Sequence, residues 1–214
     1  IITEEALRFP PSYMKFEKDK VYNERAFKYL ESRGIGWDII DKFNIGYTSY
    51  QEDDKKSSYR ITIPSYDVYG EINYWVGRDY LMNDKRVKYD NPKVEKKNII
   101  FNEEKVQWDA DITLVEGPFD HLVVPNSIPL LGKALNDGYK VYWDLLYKSN
   151  AKINIWLDGD AFQTVKETYS LLNHGNLYDR IRYIPTNDDD DPSSIYQKYG
   201  WKGIAYSLSN SKKL

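Results

Sequence analysis

Three groups of acidic residues carry spacing that could support chemistry. Glu116 follows the apolar run Ile112-Thr-Leu-Val115, and Asp158 and Asp160 follow Ile153-Asn-Ile-Trp-Leu157. Asp188, Asp189 and Asp191 lie in the acid run just beyond Ile181-Arg-Tyr-Ile184. Taken singly, each has an ordinary explanation. Asp158-Gly159 reads as a turn that ends a strand, and Asp188–Asp191 as a solvated loop with a helix N-cap. Taken together they follow three successive strand-like runs, and a parallel sheet would deliver them to one edge. Clustered carboxylates repel unless cations neutralise them. Oxygen-only ligands, with no cysteine and no nearby histidine, suit Mg²⁺ or Mn²⁺, and the chemistry implied is phosphoryl or nucleotidyl transfer assisted by one or two metals.

The elements that must position these acids follow from periodicity. The second half reads strand (112–115), helix-like stretch, strand (153–157), helix (162–172), strand (181–184), then a helix N-capped by Asp191 with Pro192 at its first position. Trp143–Ser149 reads as a further short helix. This rhythm predicts a parallel sheet with helices on both faces. The first half differs. An irregular Pro10-Pro11 stretch precedes a helix from Asn23 to Ser32, with Asn23 as N-cap and Gly34 as stop, and a second helix from Trp37 to Phe43. Arg60-Ile-Thr-Ile63 and Glu71-Ile-Asn-Tyr-Trp-Val76 alternate as hairpin strands, and Pro64 should limit the first. The expected fold class is α/β: a mixed α+β N-terminal lobe, residues 1–109, and a parallel-sheet lobe, residues 110–214, meeting near Trp108–Asp111.

Composition bounds the rest. The 214 residues include 30 basic and 33 acidic side chains, for a net charge of −3. There is no cysteine, which excludes a disulfide framework and a Cys-ligated zinc site in this chain. No apolar run has the roughly 18 residues that a membrane span needs, and the start has no secretory signal. Charge is uneven: Arg78 to Lys97 holds seven basic residues and four acidic ones. Alone, that run reads as a solvated charged hairpin. Tyr74, Trp75, Tyr80 and Tyr89 interleave with it, and exposed rings could stack on bases. Strand alternation sends Tyr74 and Trp75 to opposite faces, so at least one is expected in the core. His121 and His174 are isolated and are expected to be neither ligands nor bases.

The ordered motifs resemble a known family. Val115-Glu-Gly-Pro-Phe-Asp120, Leu157-Asp-Gly-Asp160 and Asp188–Pro192 resemble the Toprim domain. Arg33-Gly-Ile35, Phe43-Asn-Ile-Gly-Tyr47, Ile63-Pro64, Gly77-Arg78 and Lys88-Tyr-Asp-Asn-Pro92, with Lys96-Lys97 and Ile100-Phe-Asn102, resemble the polymerase domain of DnaG-type bacterial and phage primases. Leu131-Gly-Lys-Ala-Leu135 resembles the segment that follows the Toprim glutamate. The resemblance implies a DNA primase core, a nucleotidyltransferase that makes short RNA primers from NTPs on single-stranded DNA. It implies Glu116, Asp158 and Asp160 as catalytic residues. It implies two or more Mg²⁺ or Mn²⁺ ions held by Glu116, Asp158, Asp160 and acids among Asp188, Asp189 and Asp191, with Asp120 orienting the loop or binding metal through water. Arg78, Lys88, Asn91, Lys96 and Lys97 would contact nucleotide or template. Ala161-Phe162 departs from the small residue and glycine usual after the Asp-x-Asp pair. The chain reads as the polymerase core of a longer primase of viral or plasmid origin, without its zinc domain. The expected setting is the cytoplasm, of a bacterial host if phage-encoded, with a replicative helicase contacted through regions absent here and no membrane partner. A Toprim nuclease and a non-catalytic single-stranded-DNA-binding module are the alternatives.

Overall fold

In a computed structural model of the chain, residues 7–132, 134–175, 177–187 and 189–214 are described. The chain divides into two compact units, Ile1–Val94 and Glu95–Leu214. The division precedes the change in composition near Trp108 because the intervening segment packs on the second unit. Ile100 belongs to that unit's core, and the buried Glu103 carboxylate pairs with Lys140 at 2.5 Å.

The first unit contains β1 (Tyr13–Lys15), α1 (Glu24–Glu31), α2 (Trp37–Lys42), β2 (Gly46–Thr48), β3 (Arg60–Tyr66), β4 (Ile72–Asp79) and β5 (Tyr89–Asp90). Asn23 caps α1 as expected, its side-chain oxygen accepting the Ala26 N–H at 3.1 Å. Ala26, Tyr29 and Leu30, at i, i+3 and i+4, form the buried stripe. The sheet is antiparallel, in the order β1-β2-β3-β4-β5. It is larger than the expected hairpin: β1, β2 and β5 are too short to show a period of two. β3 also runs through Pro64, contrary to expectation. Among the described residues β2 pairs with β3 only at Ile61 and Thr62, so the pairing with β2 does not call on the N–H that Pro64 lacks.

The second unit contains β6 (Ile112–Val115), α3 (Pro118–Val123), β7 (Ser127–Pro129), α4 (Lys140–Tyr147), β8 (Ile153–Trp156), α5 (Phe162–His174), β9 (Ile181–Tyr183) and α6 (Pro192–Ser209). All strand pairs are parallel, in the order β7-β6-β8-β9. β7 is a strand with no counterpart in the expected rhythm, and α4 begins at Lys140, ahead of the expected Trp143. The chain steps from β6 to β7 on one side, then back past β6 to β8 and on to β9. Right-handed crossovers in opposite directions put α3 on one face and α4 and α5 on the other. Ile112, Leu114, Ile153, Ile155 and Ile181 meet Leu145 of α4 and Val165 and Leu172 of α5 in one core. Thr113, Val115, Asn154 and Trp156 point to the opposite face and are buried too. No helix among the described residues is long and apolar enough to cross a membrane.

Candidate acidic and basic sites

The reversal of strand order falls between β6 and β8. In open parallel sheets, ligands bind beyond the carboxyl ends of the strands at this switch point. Glu116 immediately follows β6, and Asp158 and Asp160 follow β8. Glu116 and Asp160 line one cavity of about 320 Å³ with Leu130, Gly132, Leu157 and Thr164. Asp160 is exposed, while Glu116 and Asp158 are half-buried. The Gly159 N–H donates to the Asp190 carbonyl at 3.1 Å, tying the turn after β8 to the loop after β9.

Asp120 is buried behind this edge. One of its carboxylate oxygens accepts the Gly117 N–H at 3.0 Å and the other the Ser193 N–H at 3.2 Å. It thereby clamps the residue after Glu116 to the first turn of α6. Burial, and next the negative charges of Asp191 and Asp158, push its carboxyl up to about 7, while the two N–H donors act in the opposite direction. Asp191 caps α6, its carboxylate accepting the Ser194 N–H and the Ser193 hydroxyl. Asp190 pairs with Lys198 at 2.5 Å. Asp189 is exposed, and Asp188 lies outside the described residues. Among the described residues no three acidic or histidine side chains form a ready-made ligand set. The donor chemistry still fits a hard cation: the groups are all carboxylates, and the field at Asp120 is negative.

The basic motif divides between the units. In the first, Arg78 of β4 and Lys88, just before β5, line a cavity of about 360 Å³ with Asp79, Met82, Asp84 and Arg86. The Arg86 guanidinium pairs with buried Asp79 at 2.7 Å. Arg60, also buried, donates to the Lys56 and Val87 carbonyls and staples the segment carrying Lys88 to the turn after β2. The Asn91 side-chain oxygen is buried with no hydrogen-bond partner among the described residues. In the second unit, Lys96 borders a small apolar pocket with Ile99 and Leu130, and Lys97 pairs with Glu95 at 2.8 Å.

One expectation changes here. Tyr74, Trp75 and Tyr80 are all buried and offer no stacking face. Trp75 Nε1 donates to the Arg8 carbonyl, and the Tyr80 hydroxyl donates to the Thr48 carbonyl. Only Tyr89 of the four reaches the surface. His121 is buried with both ring nitrogens engaged: Asn102 Nδ2 donates to Nε2 at 3.1 Å, which leaves the Nδ1 proton to face the Ser127 carbonyl at 3.0 Å. An orienting role for Asp120 in its own loop was expected, but its second bond, to Ser193, was invisible in sequence because that residue lies 73 positions away.

The molecule is thus of the class that pairs an antiparallel-sheet unit with a parallel sheet whose switch point is lined by acids. No protein-family model matches it. A DNA primase of Aquifex aeolicus (strain VF5) is 24% identical over 242 residues, covering 93% of this chain and 47% of the primase. The chain therefore spans about half the length of the curated relative it matches. Among solved structures, the zinc-binding and RNA polymerase domains of the A. aeolicus primase align with a TM-score of 0.70 at 24% identity, covering 90% of this chain and 57% of that one. A DnaG primase catalytic domain bound to single-stranded DNA aligns with a TM-score of 0.71 at 18% identity, covering 88% and 72%. The fold is that of the DnaG-type primase catalytic core.

Proposed function

We propose that this chain is the RNA polymerase core of a DNA primase, synthesising short RNA primers from NTPs on a single-stranded DNA template. The observation that carries this reading is the convergence of Glu116 and Asp160 on one cavity at the switch point of a primase-core fold. In the reaction, the 3′-hydroxyl of one nucleotide attacks the α-phosphorus of the next. A new P–O bond forms, the bond to pyrophosphate breaks, and the hydroxyl proton is lost. Residues 110–214 form the Toprim metal-binding subdomain in this reading, and residues 1–109 the basic subdomain. Glu116, Asp158, Asp160 and acids among Asp188, Asp189 and Asp191 would hold two or more Mg²⁺ or Mn²⁺ ions. Bound there, the cations would supply neutralisation of triphosphate charge and of the developing oxyanion. The Glu116 carboxylate faces the cavity and suits either acceptance of the hydroxyl proton or ligation. Arg78 and Lys88, with Asn91, Lys96 and Lys97, supply phosphate contacts, the arginine by its fork and the lysines as point charges. A single-stranded template is supported by the related DnaG domain solved with such DNA. Contact with a replicative helicase through further regions, and work in the cytoplasm, complete the reading.

The test is primer synthesis by the chain on single-stranded DNA of varied sequence, with labelled NTPs and Mg²⁺ or Mn²⁺. Glu116→Ala and Asp158→Ala are run alongside. Short RNA products absent from both variants support the reading. Shortened template without RNA would replace it with a nuclease, and DNA binding without product, in the full-length parent as well, with a binding module.

A further inference from the structure

Tyr29 sits on α1, one turn before Arg33, and is 5% exposed. Its phenol oxygen lies 2.9 Å from Arg33 Nε and 3.0 Å from Arg78 Nε. Guanidinium N–H groups donate, so one oxygen accepts from two cations, and a phenol oxygen has the two lone pairs this requires. The two arginines come from different elements, a helix end and β4. The Arg33 guanidinium carbon lies 5.2 Å from the Tyr29 ring centre, and that of Arg78 lies 4.9 Å from the ring centre of Tyr89. Two like charges beside one neutral oxygen make a positive locus that an anion would stabilise. With each Nε–H held by the phenol, and Arg78 also hydrogen-bonded to the Tyr89 side chain, the Nη N–H groups that remain are the ones that can meet a phosphate. Arg78 also lines the cavity shared with Lys88 and Arg86.

We infer that Tyr29 is a positioning residue: its phenol oxygen aligns the Arg33 and Arg78 guanidiniums as a paired fork for a phosphate group. The phosphate belongs either to the template backbone or to an NTP. This assignment rests on the proposed primase reading for the source of the phosphate.

Single-stranded DNA binding by the chain is measured against salt concentration for wild type, Tyr29→Phe, the Arg33→Lys/Arg78→Lys pair and the triple variant. In parallel, the NTP KM is measured at saturating template. Tyr29→Phe is expected to weaken DNA binding roughly tenfold, as misdirected charged hydrogen bonds would. It should also flatten the slope of log affinity against log salt by up to about 0.7, the share of one phosphate on a single strand. In the dilysine background, which has no Nε–H to align, the same substitution should change affinity less than about twofold. A raised NTP KM with unchanged DNA binding and kcat would assign the fork to the triphosphate. Equal losses in both backgrounds, with slope and KM unmoved, would mean that Tyr29 merely supports the fold, and would overturn the inference while leaving the primase reading intact. A wild-type chain that binds neither DNA nor NTP would overturn both.

Discussion

At the scale of single residues, the acids of this molecule do two kinds of work. Asp191 caps α6 and also helps set the field around Asp120. The two roles separate by substitution. Asp191→Asn keeps a capping oxygen and should leave unfolding free energy nearly unchanged, whereas Asp191→Ala should lose about 1 kcal/mol. Primer synthesis should fall in both variants if the charge matters; activity that follows stability alone would reduce Asp191 to a cap. Tyr74 provides a pH test. It is fully buried on β4, and burial pushes its phenol up to about 12. Between pH 10 and 12 the unfolded chain loses this proton while the folded chain keeps it, so stability falls as pH rises through that window. Denaturation midpoints measured across it should show a shallower decline in Tyr74→Phe than in wild type.

At the scale of elements, close strand approach positions the basic motif. Gly77 of β4 pairs with Asp90 of β5, and a Cβ at position 77 would lie 2.8 Å from the Asp90 carbonyl oxygen. That oxygen is backbone, so β5 must move to make room. Gly77→Ala is expected to destabilise the unit by about 1–3 kcal/mol, the usual penalty of overpacking. It should also weaken single-stranded DNA binding, because Lys88 and Tyr89 travel with β5. Binding measured at a temperature where the variant remains folded would distinguish the two effects, and unaltered affinity there would remove β5 from the DNA-contacting surface. In the other unit the corresponding device is the Asp120 clamp. It links the loop carrying Glu116 to the start of α6 through two backbone N–H groups.

For the whole molecule, the net charge of −3 means that the proposed DNA binding would rest on a local patch. Binding should therefore weaken with salt at a modest slope, about −1.4 to −2.8 for two to four phosphate contacts on a single strand. A salt titration of the chain checks this, and a flat response would argue against phosphate-led binding. Much of this architecture was legible in the linear order of residues. Asn23, Gly34, Asp191 and Pro192 mark helix ends through local bonds. The apolar runs before Glu116 and Asp158 mark buried strands, and their order implied a parallel sheet with acids along one edge. Local chemistry encodes these features, so sequence alone determined them. Short strands were not legible: β1, β2, β5 and β7 have two or three residues each and exist only because a neighbour pairs with them. The course of β3 through Pro64 depends on where β2 stops. Tyr74, Trp75 and Tyr80 lie beside the charged run that begins at Arg78, which left a stacking role open, yet packing buries them all. The tertiary structure alone decided that one tyrosine oxygen would hold two arginines and that Asp120 would bridge Gly117 and Ser193. Such contacts join residues far apart in the chain, and no spacing rule reports a distance that only folding sets.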